Sequence, residues 1–249
     1  MLLLLNHFLG RLLRSLPKYT KVRRQDMEAD FFIPPNCHYV CDDLTQIKNG
    51  QREPHLYDWL NNLGENATLF DVGTSYGQEI SLASSLTDRN VKVVGFDCGL
   101  YHSHFCCLNK VLNGDRFQFV FAAVSDVTGK RIRINTNSDT HLAHLHKKNV
   151  PYSYDVLTLA LDDFAKDENL FPTHLKIDVD GAETSVIKGA HALLSSDVLQ
   201  DVFIEIDHEN EGIFNTMKAY GFDIVWEQRK AQNIDVLFTR TQPVTKAVA

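Results

Sequence analysis

The sequence predicts an α/β fold in which a doubly wound, mostly parallel sheet of seven strands carries helices on both faces. Two observations predict it. Short apolar runs typical of buried strands alternate with segments at helical spacing from residue 54 onwards. The last two strands, Phe222–Trp226 and Ile234–Thr239, are joined by a short polar loop and therefore run antiparallel. The sheet is thus expected to end in a C-terminal antiparallel hairpin that contains one reversed strand.

The composition describes one acidic body with a basic start. With 249 residues and 44% hydrophobic side chains, the chain can bury one sizeable core, and its formal net charge is −7. Residues 1–24 hold six basic side chains and no acidic one, so the rest of the chain is more acidic still. Such a body is a poor general partner for nucleic acid.

The cysteines indicate a reducing compartment. There are five of them, an odd number, and they form no C-x-x-C pair. Neither a disulfide framework nor a zinc site is therefore favoured, and we expect a cytoplasmic protein.

The first residues are predicted to form an amphipathic helix, because leucines recur at helical spacing before Pro17. This helix over residues 1–16 is too short and too charged to span a bilayer, and its apolar run is too short for a secretory signal. A peripheral membrane anchor and an organelle transit peptide within residues 1–24 stay open, and packing on the chain's own domain or on a second copy is favoured. Residues 25–53 are predicted to form an irregular extension with one short strand at His38–Cys41.

A tight glycine turn follows the first core strand. After a helix at Pro54–Leu63, the strand Thr68–Val72 leads into Gly73–Gly77 and then into a helix from Gln78 to about Leu86. The spacing of the turn is G-x-x-x-G, whereas the dinucleotide fingerprint is G-x-G-x-x-G, so an NAD-type oxidoreductase is disfavoured.

The remaining core elements show the same patterns. They are strands at 91–96, 117–122, 174–178 and 201–206, and helices at 101–113, 183–194 and 212–220. A hairpin is predicted after residue 122, with its turn at Asp126–Lys130 and its returning strand at Arg131–Ile134. A further strand, Asp155–Leu161, leads into a short helix.

The periodic signal fails between residues 135 and 154, where three histidines cluster. His141, His144 and His146 do not share one helical face, so a three-histidine metal site is disfavoured. This segment is a candidate for a cap over the site.

Acidic side chains stand at the ends of the predicted strands. Asp71 lies near the end of the first core strand, Asp97 follows the second and Asp178 ends the fourth. In an open α/β sheet these ends meet at one edge, where ligands bind. A carboxylate at the tip of the second strand can accept hydrogen bonds from both hydroxyls of a bound ribose.

Four segments, in order, resemble the FkbM-type S-adenosylmethionine-dependent methyltransferases. FDVGTSYG resembles the family's FDVGANIG, and AVSDVTG its AVSD-x-x-G; LTLALDDF is similar to T-x-x-LDD-x, and LKIDVDGAETSVIKGAHALL to LKIDVEGAE-x-x-x-LKGA-x-x-LL. The resemblance covers about Thr68 to Asp207. The chain departs from it at Ser75 for Asn, at Asp97-Cys98 for Glu-Pro and at Asp180 for Glu.

The resemblance implies a Rossmann-like class I methyltransferase domain over residues 54–249, preceded by an extension over residues 1–53. It also implies S-adenosylmethionine as cofactor. The implied cofactor residues are Asp71, Gly73, Ser75 and Gly77 at the methionine end, Asp97 at the ribose, and Ser125 with Asp126 beside the adenine.

The acceptor side is less specific. Asp178 is the first candidate for the base that removes the acceptor's proton, and His208 is the best placed of the histidines. Asp178, Glu205 and Asp207 are candidate ligands for Mg²⁺, although no metal is firmly predicted.

The predicted function is O-methylation of a carbohydrate or secondary metabolite. The expected partner is a small-molecule or glycan acceptor, with no nucleic acid. Membrane contact or self-association through the N-terminal helix stays open. Two alternatives of another class also stay open: a methyltransferase acting on a protein, and a non-catalytic Rossmann-like scaffold that recruits partners.

Overall fold

The computed structural model describes residues 18–34, 37–136, 143–144 and 152–241. The predicted helix over residues 1–16 lies outside these residues, as do His141, His146 and the side chain of His144. These predictions stay predictions.

The secondary structure of the described residues alternates strands and helices. The strands are β1 Lys18–Arg24, β2 Met27–Ile33, β3 Thr68–Val72, β4 Lys92–Asp97, β5 Gln118–Phe121, β6 Ala123–Val124, β7 Arg131–Thr136, β8 Ala143–His144, β9 Tyr152–Leu159, β10 His174–Ile177, β11 Asp201–Asp207, β12 Phe222–Arg229 and β13 Asn233–Arg240. The helices are α1 His38–Lys48, α2 Pro54–Asn61, α3 Gln78–Ala83, α4 Leu100–Leu112, α5 Leu161–Asp167, α6 Glu183–Lys188, α7 His191–Leu194 and α8 Ile213–Ala219. Within the described ranges, none of these helices combines the length and apolarity needed to cross a bilayer.

The central sheet has seven strands in the order β12-β13-β11-β10-β3-β4-β5. Only β13 runs against the others, being antiparallel to both β11 and β12. The predicted doubly wound sheet with a reversed strand and a C-terminal hairpin is therefore confirmed. In register, Val72 of β3 lies beside Ile177 of β10 and Phe96 of β4, so the residues after these three strands meet at one edge.

Each face of the sheet carries its own hydrophobic core. Alternate residues of a strand point to opposite faces, so Phe70 packs in one core while its neighbour Leu69 packs in the other. The first core is covered by α5, α6, α7 and α8, and the second by α1, α2, α3 and α4. The helices thus leave the carboxyl edge of the strands open for a site.

The N-terminal segment is regular, and the predicted irregular connection over residues 25–53 is wrong. β1 and β2 form an antiparallel hairpin, and the predicted strand at His38–Cys41 is instead the start of α1. The buried residues Met27, Ala29 and Phe31 alternate with acidic neighbours, which is the pattern of a strand with one face in a core. This segment packs in the second core, together with α2 and α3.

The predicted hairpin around Asp126–Lys130 is also wrong, because β9 lies between β6 and β7. β6 pairs parallel with β9, and β7 pairs antiparallel with it. The hydroxyl of Thr158 in β9 donates to the carbonyl of Val127 and accepts from the N–H of Lys130, at 2.5 and 3.0 Å. The turn is therefore bound to β9 and does not close a two-stranded pair.

Candidate active site

The turn after β3 passes so close to the end of β10 that it needs glycine. Gly73 has a φ of +87°, and a Cβ on it would lie 1.7 Å from the backbone oxygen of Asp178. An L side chain there would be both strained and in collision. The glycine thus holds the β3–α3 turn against the residue that follows β10.

A cavity of about 370 Å³ opens at this edge of the sheet. It brings together six residues that the sequence predicted: Gly73, Ser75, Asp97, Ser125, Asp178 and Glu205. The ends of β3, β4, β6, β10 and β11 all contribute to its wall, as the topology of an open α/β sheet requires.

Asp97 is fixed at the tip of β4 by two backbone groups. One carboxylate oxygen accepts from the N–H of Ser75 at 2.8 Å, and the other accepts from the N–H of Gly99 at 2.6 Å. Burial raises the pKa of Asp97 to about 6, and these hydrogen bonds oppose the rise. Each oxygen keeps a free lone pair, so the carboxylate can accept two more hydrogen bonds from a ligand in the cavity.

Lys176 links two of the predicted acids. Its ammonium lies 3.2 Å from a carboxylate oxygen of Asp71 and 3.2 Å from one of Asp178. Burial alone would lower the pKa of this lysine, but the carboxylates of Asp178 and Asp71 outweigh it and raise the pKa well above its usual value. Lys176 therefore stays charged and fixes the side chain of Asp178, which is partly exposed at the cavity wall.

Glu205 is held by a second lysine, Lys230. The ammonium of Lys230 lies 3.5 Å from Glu205, 3.6 Å from Glu53 and 2.6 Å from Asp235. Burial, together with the nearby carboxylate of Asp178, raises the pKa of Glu205 to about 8. Two carboxylates on neighbouring strand ends, Asp178 and Glu205, thus line the same cavity, each with a lysine behind it.

The comparison with protein families decides the class. The family model described as "Methyltransferase FkbM domain" matches residues 54–224, which is more than half of the chain. The chain belongs to the FkbM methyltransferase family. Membership makes it an S-adenosylmethionine-dependent methyltransferase and confirms the family that the four motifs indicated.

Three solved methyltransferase structures are similar to this FkbM-family chain at low sequence identity. TrmK of M. capricolum in complex with S-adenosylhomocysteine has 9% identity and a TM-score of 0.48, over 78% of this chain and 71% of that one. Fibrillarin of Aeropyrum pernix with bound S-adenosylmethionine has 9% identity and a TM-score of 0.47, over 71% and 68%. Precorrin-6y C5,15-methyltransferase of Geobacter metallireducens has 12% identity and a TM-score of 0.46, over 78% and 90%. No curated protein matches the sequence.

Three of the predicted cofactor residues of this FkbM methyltransferase lie outside the cavity wall. Asp71 is fully buried, accepts from the hydroxyl of Thr74 at 2.9 Å and pairs with Lys176, so it supports the turn from behind. Gly77, with a φ of +83°, precedes the first residue of α3. Asp126 accepts from the hydroxyl of its neighbour Ser125 at 3.1 Å.

His208 and Asp207 do not line the cavity either. His208 is exposed and lies with one ring nitrogen 3.2 Å from the carbonyl of Lys230 and the other 3.9 Å from Glu211. Asp207 ends β11 two residues beyond Glu205. In the described part of the chain, no three histidine, cysteine or acidic side chains come together as a group that could hold a metal ion. His208 and Asp207 therefore lie outside the cavity wall.

The cavity wall of this FkbM methyltransferase also contains residues that the sequence did not single out. Four of them are Tyr39 of α1, Arg52 and Glu53 before α2, and Gln78 at the start of α3. Gln78 stood directly after the predicted turn, so the turn itself was a signal for it. The other three come from the segment predicted to be irregular, where no motif pointed to a site.

Proposed function

We propose that this FkbM methyltransferase transfers the methyl group of S-adenosylmethionine to a hydroxyl of a carbohydrate or another small-molecule acceptor. The observation that carries the proposal is that Asp97 and Asp178 line one cavity. The carboxylate of Asp97 is fixed where it could bind the ribose hydroxyls, and the carboxylate of Asp178 is held by Lys176.

The residues present fit the cofactor. Gly73 and Ser75 would hold its methionine end, and Asp97 would accept from the ribose hydroxyls. Ser125, Ile132 and Ile134 all line the cavity, and apolar side chains together with a hydroxyl suit an adenine ring. When bound, the cofactor supplies a methyl group on a sulfonium, which is already a strong electrophile.

The chain's own part in the reaction is positioning and proton removal. The acceptor oxygen has to lie about 3 Å from the methyl carbon for an in-line displacement. Asp178 would take the proton that the acceptor hydroxyl loses when its oxygen is methylated. Lys176 keeps that carboxylate oriented, and Glu205 lines the same cavity from the next strand.

Calorimetric titration of the purified protein with S-adenosylmethionine, S-adenosylhomocysteine and NAD, each with and without Mg²⁺, tests the proposal. We expect both adenosyl ligands to bind in the micromolar range and NAD not to bind. Binding of none of them would refute the cofactor assignment and favour the scaffold alternative. Acceptor turnover measured with and without Mg²⁺ tests the carboxylates as metal ligands, because a metal-dependent site would turn over only when the metal is added.

We also propose a cytoplasmic location. Its support is the cysteines, all five of which are described and free. A fusion of residues 1–24 to a fluorescent protein tests the alternatives, since recruitment to a membrane or an organelle would contradict this location.

A further inference from the structure

We infer that the acceptor carries a protonated amine near the hydroxyl that is methylated, and that Glu53, Glu205 and Gln78 bind this amine. The inference rests on the proposed function and names the chemical class of its acceptor. An amino sugar or another hydroxylated amine has this chemistry.

Acidic side chains outnumber basic ones around the acceptor side of the cavity, and a cation bound there would favour the ionised form of Glu205, whose pKa is about 8. Six carboxylates share three cations: Asp43 and Glu53 contact Arg52; Asp71 and Asp178 contact Lys176; Glu53, Glu205 and Asp235 contact Lys230. Each cation is therefore divided between at least two acids. A ligand that brings a further positive charge would complete this network.

Gln78 is an independent sign of a hydrogen-bond donor in the ligand. Gln78 is 5% exposed and is one of the residues that line the same cavity. The amide oxygen is buried without a hydrogen-bond partner among the described residues. A carbonyl oxygen can only accept, so its missing partner has to be an N–H or O–H group.

The arginine in this wall is not available for an anionic acceptor. Arg52 lies 2.7 Å from Asp43, which also accepts a hydrogen bond from the hydroxyl of Tyr76. Its Nε is buried without an acceptor in the described structure and can donate to a neutral hydroxyl oxygen. The wall thus offers hydrogen-bond acceptors to an amine and one hydrogen-bond donor, the Nε of Arg52, to a hydroxyl. A phosphate or carboxylate ligand would be surrounded by more acidic than basic side chains.

The cofactor has an ammonium group too, so the position of the acids matters. The turn residues assigned to the methionine end follow β3, whereas Glu205 lies on β11, beyond β10. Glu53 precedes α2 and comes from outside the residues matched by the family model. This separation assigns Glu53 and Glu205 to the acceptor.

The test is binding of matched probes to protein saturated with S-adenosylhomocysteine. At pH 7, glucosamine is compared with glucose, and 2-aminoethanol with ethane-1,2-diol, because each pair differs in one amine. We expect the amine of at least one pair to bind ten-fold or more tightly than its neutral partner. Equal affinities within both pairs, or no amine binding in the millimolar range, would overturn the inference.

Three isosteric variants complete the experiment. Glu53→Gln and Glu205→Gln should each reduce the amine preference several-fold, while Glu65→Gln, an exposed carboxylate in the turn after α2, should retain it. An unchanged preference in the first two variants would overturn the inference. A ten-fold loss of S-adenosylhomocysteine affinity in them would do the same, because the acids would then serve the cofactor. If wild-type protein does not bind S-adenosylhomocysteine at all, the proposed function itself fails.

Discussion

The carboxylate of Asp97 lies between two backbone N–H groups and faces the cavity, which makes it the most specific test of the cofactor site. We expect Asp97→Ala to weaken binding of S-adenosylhomocysteine by about 10- to 100-fold, the cost of losing hydrogen bonds to a charged group. Calorimetry measures the affinity, and circular dichroism confirms the fold. Asp126→Ala is the matched comparison, since Asp126 follows β6 without lining the cavity. Equal affinity losses in the two variants would contradict the assignment of the ribose to Asp97.

Asp178 differs from Asp97 in that its proposed role is in turnover and not in cofactor binding. Asp178→Asn keeps the shape of the side chain but cannot take a proton, so we expect turnover to fall by about 10²- to 10⁴-fold. Affinity for S-adenosylhomocysteine should stay within a few-fold of wild type. His208→Ala should leave turnover near normal, because His208 is exposed and outside the cavity wall. A strong loss of turnover in His208→Ala, together with near-normal turnover in Asp178→Asn, would mean that His208 and not Asp178 removes the proton.

Glu79 is a buried acid outside the reaction, and it makes stability depend on pH. Burial raises its pKa to about 8 from 4.5, and its carboxylate accepts from the hydroxyl of Tyr57 at 2.9 Å. Between these two pH values the folded chain binds a proton that the unfolded chain has lost. This group's contribution to the free energy of unfolding therefore decreases as pH rises from 4.5 to 8, by about 1 kcal/mol per pH unit.

Glu79→Gln removes this titration. We expect the free energy of unfolding of the variant, relative to wild type, to increase steadily between pH 4.5 and 8, as measured by urea denaturation. Any constant difference caused by the new amide would shift the whole curve without changing its slope. Parallel pH profiles for the two proteins would show that Glu79 is ionised in the folded state throughout.

At the scale of elements, the β3–α3 turn depends on Gly73 for two separable reasons. Its φ is +87°, and a Cβ would collide with the backbone of Asp178; Gly114 has a φ of +68° with open space around it. Gly114→Ala should thus cost about 1–2 kcal/mol for the backbone conformation alone. Gly73→Ala should cost a further ~1–3 kcal/mol or more for the overlap. Chemical denaturation measures both, and similar costs would mean that the turn can move away from β10.

The strand ends that form the site could be predicted from the sequence because each is a local pattern. An apolar run followed by an acid predicted Asp97 and Asp178, and the glycines between β3 and α3 predicted the turn. Parallel strands place such residues together whatever the details of the helices. Asp71 fits the same local pattern, but its partner Lys176 is a charged residue within a buried strand, and only the tertiary contact explains it.

The N-terminal contribution to the site could not be predicted in the same way. Arg52 and Glu53 reach the cavity through ion pairs with Asp43 and Lys230, which lie in different parts of the chain. Nothing local marks such a residue. The β1–β2 hairpin, in contrast, could have been predicted. Buried Met27, Ala29 and Phe31 alternate with polar neighbours, and this period of two is the pattern of a strand.

For the whole molecule, the described part of the N-terminal segment is continuous with the methyltransferase domain. β2 is bound to α4 through side chains, with the N–H groups of Phe32 and Asp30 donating to Asn109 and Asn113 at 2.8 and 2.9 Å. Both asparagines are buried, and α1 packs in the same core as α2. The boundary predicted at residue 53 therefore crosses a shared hydrophobic core.

This continuity predicts that residues 54–249 do not fold stably alone. Removing β1, β2 and α1 would expose the apolar side chains of α2, α3 and α4 that pack against them and leave Asn109 and Asn113 without their backbone partners. We expect the 54–249 fragment to aggregate or to unfold without a cooperative transition, as measured by calorimetry and size-exclusion chromatography. A chain of residues 18–249 is the control that separates the described segment from residues 1–17. Cooperative unfolding of 54–249 near the Tm of the full chain would mean that the domain begins at residue 54, as the sequence predicted, because the second core would then be complete without the segment.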